Sequence, residues 1–168
     1  MSRGVLVAGI GNIFQTDDAF GVEVATRLAA TRTLPEGVRV EDYGIRGVHL
    51  ALELLEGYDG LVLIDAVPMN EPPGTLALIE PELDPEARRD EMSPGIDAHT
   101  MNPDAVLASL AQMGGSVEKI FIVGCQPADL QDGMGLTPAV AAAVEDAVEM
   151  VCQVVSEIVE PVGKVTHS

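Results

Sequence analysis

The sequence predicts an α/β fold: a three-layer α/β/α sandwich around a five-stranded, twisted and mostly parallel sheet with one antiparallel strand. Short apolar runs alternate along the chain with amphipathic helical patterns, which is typical of a parallel sheet covered on both faces. One pair of predicted strands is instead joined by a loop too short for a crossover helix, which predicts the antiparallel strand. We expect a single domain over residues 1–160 and a flexible tail over residues 161–168.

The chain opens with a strand, a glycine-rich turn and a helix. An apolar run at residues 5–8 predicts the first strand, and the turn follows at residues 9–11. A helical pattern with an apolar inner face then covers residues 19–30. Two adjacent carboxylates, Asp17 and Asp18, stand where this helix begins. Ligands of α/β domains usually bind at such a strand–turn–helix unit.

Three more strands and a short helix are predicted in the middle of the chain. Their bounds follow from alternating or continuous apolar runs, separated by turns that contain Gly, Pro and Asp. The clearest of these runs ends on a carboxylate, Asp65. The predicted elements are a strand at residues 38–43, a helix from the turn at 44–47 to Gly57, a strand at 61–66 and the antiparallel strand at 75–79.

A long polar stretch, residues 80–98, precedes the last part of the domain. It has no apolar period, which predicts a loop, and loops of this length in compact domains usually carry function. The loop leads to His99. A helix that begins at Asn102, a strand at residues 119–123 and a final helix that begins at Thr137 complete the predicted fold.

The charge of the chain excludes two classes of partner. Nine basic residues against 27 acidic ones give a formal net charge of −18, which repels phosphate backbones and anionic lipids. We therefore expect no nucleic acid and no membrane as partners. Two interpretations of the acidity stay open: a solvated surface of the kind found in acidic proteomes, or a surface that attracts a basic segment of a partner protein.

Cysteine content and hydropathy predict the compartment. Only Cys125 and Cys152 are present, too few for a disulfide framework, so the cytoplasm is expected. The apolar run near the start is short and leads to two Asp residues rather than to a cleavage site, so we expect no signal peptide. No run of about 18 apolar residues predicts a membrane span.

Three side chains are candidates for a metal site. Asp18 follows the first strand, Asp65 ends the third, and His99 ends the long loop. Because the carboxyl ends of parallel strands share one edge of the sheet, we expect these three groups to converge there. Two carboxylates and an imidazole suit an open divalent-metal site with positions left for water or substrate.

Each candidate also has a structural interpretation. Asp18 would favour the positive end of a helix dipole, with Asp17 as the helix cap. Asp65 would accept hydrogen bonds at a strand end, and an isolated histidine such as His99 is often structural. The sequence alone leaves these alternatives open.

The sequence matches two other kinds of functional site less well. Gly9 and Gly11 match half of a dinucleotide fingerprint, but Phe14 occupies the third glycine position and the Asp pair would repel a pyrophosphate. A nucleophilic hydrolase is also disfavoured, because the sequence has no Gly-x-Ser-x-Gly and no histidine close to either cysteine.

Seven segments, in order, match a known family. The chain resembles the hydrogenase maturation endopeptidases, which remove a C-terminal extension from the large subunit of nickel–iron hydrogenases after nickel insertion. The segments are GIGNIFQTDDAFGV at residues 9–22, GIRG at 44–47, LVLIDAV at 61–67, PGT at 73–75, DAHTMNP at 97–103, VGCQP at 123–127 and GLTPAV at 135–140.

The resemblance implies a metal-dependent endopeptidase whose three metal-binding positions fall on Asp18, Asp65 and His99. It implies that the divalent metal is nickel presented by the substrate, a hydrogenase large-subunit precursor. Asp18 and Asp65 are then also the candidate catalytic groups, able to orient or deprotonate water. The alternative is a non-enzymatic nickel-binding chaperone that docks on the precursor without cutting it.

Overall fold

Five strands form one mixed sheet in the computed structural model, which describes residues 4–32, 34–44, 47–80, 112, 114, 115 and 117–159. The spatial order of the strands is β2-β1-β3-β5-β4, and all neighbours are parallel except β4 and β5. This confirms the predicted mostly parallel α/β sheet with one antiparallel strand. The strands are β1 (Val5–Ile10), β2 (Val38–Gly44), β3 (Gly60–Ala66), β4 (Leu76–Ile79) and β5 (Lys119–Cys125).

The described helices cover both faces of the sheet. They are α1 (Phe20–Thr31), α2 (Gly47–Leu54) and α3 (Pro138–Val159), and a short 3₁₀ helix at Thr16–Ala19 precedes α1. Helices α1 and α3 share one apolar core with one face of the sheet, and α2 shares a second core with the other face. The three layers of the predicted sandwich are therefore present.

The two central strands, β1 and β3, are buried on both faces of the sheet. Every residue of β1 and β3 is buried. Because successive side chains of a strand point to opposite faces, Val5 and Val7 lie in the core beneath α1 and α3, whereas Leu6 and Ala8 lie in the core beneath α2. A strand buried on both faces therefore needs the unbroken apolar run that its sequence shows.

Two strands are two residues longer than the sequence predicts. Strand β1 continues through Gly9 and Ile10, because Gly9 pairs with Ile64 and Ile10 with Gly44, so the turn begins at Gly11. Strand β5 continues through Cys125, which pairs with Ala66 of β3 and with Leu76 of β4. Pairing on both sides holds residues in the sheet that local turn propensity assigns to loops.

The order in which successive strands are added to the sheet reverses at β1. From β1 the chain crosses to β2 on one side, and β3 then lies on the other side of β1. The crevice beyond the carboxyl ends of two such strands is the usual ligand site of an open α/β sheet.

Several predicted features lie outside the described residues. They are residues 45 and 46 of the turn before α2, the long loop with His99, most of the helix predicted to begin at Asn102, and the tail at 161–168. Within the described ranges, none of the helices combines the length and the apolar character that crossing a membrane demands.

Candidate functional site

Asp18 lies in the short 3₁₀ helix between β1 and α1, above the carboxyl end of the sheet. Its Oδ2 accepts the backbone N–H of Asn12 at 2.8 Å, which ties the carboxylate to the turn after β1. Burial raises the pKa of Asp18 and outweighs this hydrogen bond, which lowers it. A carboxylate whose only role was to interact with a helix dipole would be stabilised in its ionised form by that dipole and would remain exposed to water.

Asp65 is the sixth residue of β3 and pairs in register with Gly124 of β5. It is only 5% exposed, and no other carboxylate within the described residues except Asp17 is as deeply buried. Burial raises the pKa of Asp65 well above its usual value, the charge on Asp18 raises it further, and the backbone N–H of Ala66 only partly opposes them.

The two carboxylates therefore form an electrostatically unfavourable pair. Asp18 follows β1 and Asp65 lies one residue before the end of β3, so they flank the crevice on either side of which the chain adds strands. Ionising both costs free energy, because two like charges are held near each other with limited access to water. A proton or a cation between them relieves this cost.

The donor set fits a hard or borderline divalent cation. Carboxylate oxygens are suitable ligands, and burial of the pair lowers competition from water. Among the residues that the structure describes, His, Cys, Asp and Glu side chains do not assemble into a group of three or more that could hold an ion. The pair would supply two ligands, and the third predicted ligand, His99, lies outside the described residues.

Asp17 has a structural role that differs from the helix cap suggested by the sequence. The sequence suggests a helix cap, but the residue before α1 is Ala19, which makes no side-chain capping bond. Asp17 is instead 0% exposed and points to the loop between β5 and α3. Its carboxylate accepts the N–H groups of Ala128, Asp129 and Thr137 at 2.8, 3.0 and 2.7 Å and the hydroxyl of Thr137 at 2.8 Å.

Those four bonds keep Asp17 ionised. Burial acts to raise its pKa, but the hydrogen bonds from Thr137, Ala128 and Asp129 together lower it below the usual value. Two adjacent acids thus have different tasks: Asp17 binds two loops together, and Asp18 faces the site. Adjacent carboxylates at the start of a helix were the only signal for this in the sequence.

Two glycines make the close approach of β1, α1 and β3 possible. Gly11 has a φ of +136°, and a Cβ there would lie 1.8 Å from the carbonyl oxygen of Asp18. A Cβ on Gly21 would lie 2.0 Å from the carbonyl oxygen of Ile64, the residue before Asp65. Both positions therefore exclude any larger residue, and both set the position of the carboxylate pair.

Hydrogen bonds of Gln126 connect the loop after β3 to the end of β5. Its side-chain Oε1 accepts the backbone N–H of Met69, and that of Glu71 at 3.4 Å, while its Nε2 donates to the carbonyl of Pro127 at 3.2 Å. The backbone of Gln126 also pairs with residues 74 and 75. The sequence identified this residue only as part of a motif.

The geometry weakens the two competing kinds of site. The N–H of Asn12, which a phosphate would need at the turn after β1, already donates to Asp18. Burial raises the pKa of Cys125 to about 11, and it also raises that of Cys152, so neither thiol is activated as a nucleophile. Among the described residues, the carboxylate pair is the better candidate for chemistry.

Comparison with known proteins identifies the family of the chain. A family model described as hydrogenase maturation protease matches residues 22–154 of the chain. The hydrogenase 2 maturation protease of Escherichia coli is 34% identical over 154 residues, which cover 91% of both chains. The hydrogenase expression/formation protein HupD of Rhodobacter capsulatus is 36% identical over 151 residues, 86% of this chain and 67% of that one.

A solved structure is similar over most of its length. The hydrogenase maturating endopeptidase HybD from E. coli superposes with a TM-score of 0.76 at 33% sequence identity, over 92% of this chain and 93% of that one. The region that the family model matches begins after Asp18, and it contains β3 with Asp65 and most of α1 and α3. The chain belongs to the hydrogenase maturation protease family.

Proposed function

We propose that this protein is an endopeptidase that removes the C-terminal extension of a nickel–iron hydrogenase large-subunit precursor after nickel has been inserted. The observation that carries the proposal is the pair of desolvated carboxylates, Asp18 and Asp65, at the crevice between β1 and β3. Membership of a family of maturation proteases gives the pair its substrate class.

The nickel of the precursor is part of the substrate. Asp18, Asp65 and His99 are the side chains that would contact it, and it would supply Lewis acidity to a scissile carbonyl or to water. Recognition then depends on the metal, because burial and mutual repulsion disfavour the ionised form of both carboxylates and a cation would offset that cost. A precursor without nickel offers no cation to stabilise both carboxylates in the ionised form.

The carboxylates have distinct parts in the proposed hydrolysis. Asp18 is the less buried of the two and has one oxygen engaged with Asn12, so its other oxygen can orient water and accept a proton. Asp65 is nearly inaccessible and carries the more strongly raised pKa, which suits a ligand or a proton donor.

Mass spectrometry of the precursor's C-terminus tests the proposal. Purified nickel-loaded precursor is incubated with wild-type protein, with Asp65→Ala and with His99→Ala, and a parallel series uses nickel-free precursor. We expect a mass loss equal to the extension only with wild-type protein and nickel-loaded precursor. Asp146→Ala, which removes an exposed carboxylate of α3, is the matched control and should cleave normally.

Two results would contradict the proposal. Normal cleavage by both site variants would remove the metal-binding side chains from the mechanism. Stable association of wild-type protein with the precursor, at unchanged precursor mass, would favour a nickel-binding chaperone that docks without cutting.

We also propose the cytoplasm as the working compartment. Both cysteines are free thiols, Cys125 buried and Cys152 partly buried, as a reducing compartment would keep them. Localisation of the tagged protein by cell fractionation tests this point.

A further inference from the structure

Large apolar side chains are concentrated on two loops beside the carboxylate pair. Of the seven large hydrophobic residues exposed within the described part of the chain, four lie here: Ile13 and Phe14 after β1, and Leu130 and Met134 after β5. Phe14 is 60% exposed and Met134 is 74% exposed. We call these four side chains the apolar patch. Clustered exposed apolar residues usually mark an interaction site.

The two loops are joined to each other, which fixes the backbone that carries the patch. The N–H of Gly133 donates to the carbonyl of Phe14 at 2.9 Å, and the N–H of Thr16 donates to the carbonyl of Gly133 at 3.0 Å. The hydroxyl of Thr16 donates to the carbonyl of Gln131 at 2.7 Å. Because its backbone is already ordered, the patch would lose little conformational entropy on binding.

Asp17 adds a buried anchor to this arrangement. Besides the four bonds to its carboxylate, its backbone N–H donates to the carbonyl of Asp129 at 3.0 Å. Thr16 meanwhile has a φ of +51°, a conformation that is costly for a β-branched residue and persists only where surrounding bonds hold it. The loop that carries Phe14 therefore has a backbone conformation of higher free energy, and its apolar side chains are nevertheless exposed to water.

The surroundings of the patch are acidic. Residues 12–18 and 126–138 contain Asp17, Asp18, Asp129 and Asp132 and no Lys, Arg or His. Asp132 is exposed and stands between Leu130 and Met134 in the chain. A partner that buries apolar side chains here gains if it also brings positive charge, because the whole protein has a net charge of −18.

We propose that the apolar patch is the docking surface for the large-subunit precursor, which contacts it through apolar side chains flanked by Lys or Arg. This inference rests on the proposed function, since it takes the precursor as the partner. The location supports it: Phe14 lies four residues before Asp18 in the connection between β1 and α1, so the patch and one of the two carboxylates belong to the same connection. Aromatic and Met side chains are also characteristic of protein interfaces.

Steady-state cleavage of the nickel-loaded precursor tests the inference with matched variants. Phe14→Ala/Met134→Ala truncates the patch, and Leu52→Ala/Leu55→Ala truncates two exposed apolar side chains at the end of α2 as the control. We expect the patch variant to raise KM at least about tenfold with little change in kcat, as loss of two interface anchors should. The control variant should keep the wild-type KM.

A third variant tests the charge. Asp132→Asn should raise KM at low salt, and the difference from wild type should vanish near about 1 M salt, where the Debye length is roughly 3 Å. Circular dichroism and thermal unfolding verify that each variant is folded, which is expected because the substituted side chains are exposed.

The outcomes separate this inference from the proposed function. Cleavage by wild-type protein with an unchanged KM for the patch variant would overturn the inference and leave the proposed function intact. Absence of cleavage and of binding by wild-type protein would overturn both. An equal rise in KM for the patch and control variants would also overturn the inference, since the effect would then not belong to this surface.

Discussion

Asp17 and Asp18 are neighbours in the chain whose carboxylates have opposite electrostatic environments. Four donated hydrogen bonds lower the pKa of Asp17 despite complete burial, whereas burial with a single hydrogen bond raises the pKa of Asp18. The four donors to Asp17 together outweigh the effect of its burial, whereas the single donor to Asp18 does not. One acid is therefore a charged structural anchor, and the other is available to a cation or a proton.

Replacing Asp17 with Asn should destabilise the protein. Asn keeps the shape but loses the charge, and it directs an NH₂ group toward donors that now lack an acceptor. We expect a loss of roughly 3 kcal/mol in the free energy of unfolding, which lowers Tm by about 10 °C in a domain of this size. Thermal unfolding at neutral pH measures it, with Asp146→Asn on the exposed face of α3 as the control.

The difference in thermal stability between wild type and Asp17→Asn should depend on pH. Because the folded pKa of Asp17 is lowered, its contribution is complete above the unfolded value of about 3.9 and is lost as pH falls through the folded pKa. The Tm difference between wild type and Asp17→Asn should thus be constant from about pH 5 to 8 and shrink below about pH 4. A difference that grows toward acid would contradict this role.

At the level of elements, the position of the site depends on how closely α1 approaches the sheet. Gly21 in the first turn of α1 faces the carbonyl oxygens of Ile64 and Ile10, so the helix lies almost against the backbone of β1 and β3. The dinucleotide fingerprint is incomplete in this sequence, because Phe14 occupies its third glycine position. A glycine for close helix–strand packing is nevertheless present, seven residues later.

Gly21→Ala therefore tests packing against helix propensity. Propensity alone predicts that Ala stabilises the helix by about 1 kcal/mol, but its Cβ would lie 2.0 Å from the carbonyl oxygen of Ile64. We expect a clear loss of thermal stability, with α1 displaced from the sheet and cleavage impaired. Ala142→Gly, at an exposed position of α3, should cost only about 1 kcal/mol. A Gly21→Ala protein at least as stable as wild type would show that the helix can move without penalty.

At the level of the whole molecule, net charge opposes folding. Described ion pairs such as Arg27–Glu145 at 3.1 Å and Arg32–Glu149 at 2.5 Å link α1 and the residue after it to α3, but they lie at the surface and contribute little. Repulsion among the 27 acidic residues, against nine basic ones, is the larger effect.

Added salt should therefore stabilise the protein. We expect Tm to rise as NaCl is increased from about 0.01 to about 1 M, because the Debye length falls from roughly 30 to 3 Å and screens the repulsion more than it weakens surface ion pairs. Differential scanning calorimetry across this range measures the change. A falling Tm would mean that attractive surface pairs outweigh the net charge.

The sequence predicted the fold well because the fold depends on local signals. Continuous apolar runs identified β1 and β3, alternation identified β2, and the short loop before β4 predicted its opposite direction. Local signals did not predict which strand lies beside β4 in the sheet. Strand β4 pairs with β5, which lies 40 residues later in the chain. Such long-range pairing depends on the order of the strands in space.

The sequence by itself determined the α/β class and the candidate acids Asp18 and Asp65, because hydrophobic periodicity and strand ends are local properties of the chain. Only the tertiary structure decided that Asp17 is an anchor for the loop after β5 and that Asp65 is desolvated beside the charge of Asp18. It also brought Phe14 and Met134 onto joined loops. Hydrogen-bond partners, burial and charge proximity arise between residues up to 120 positions apart, and no local pattern encodes them.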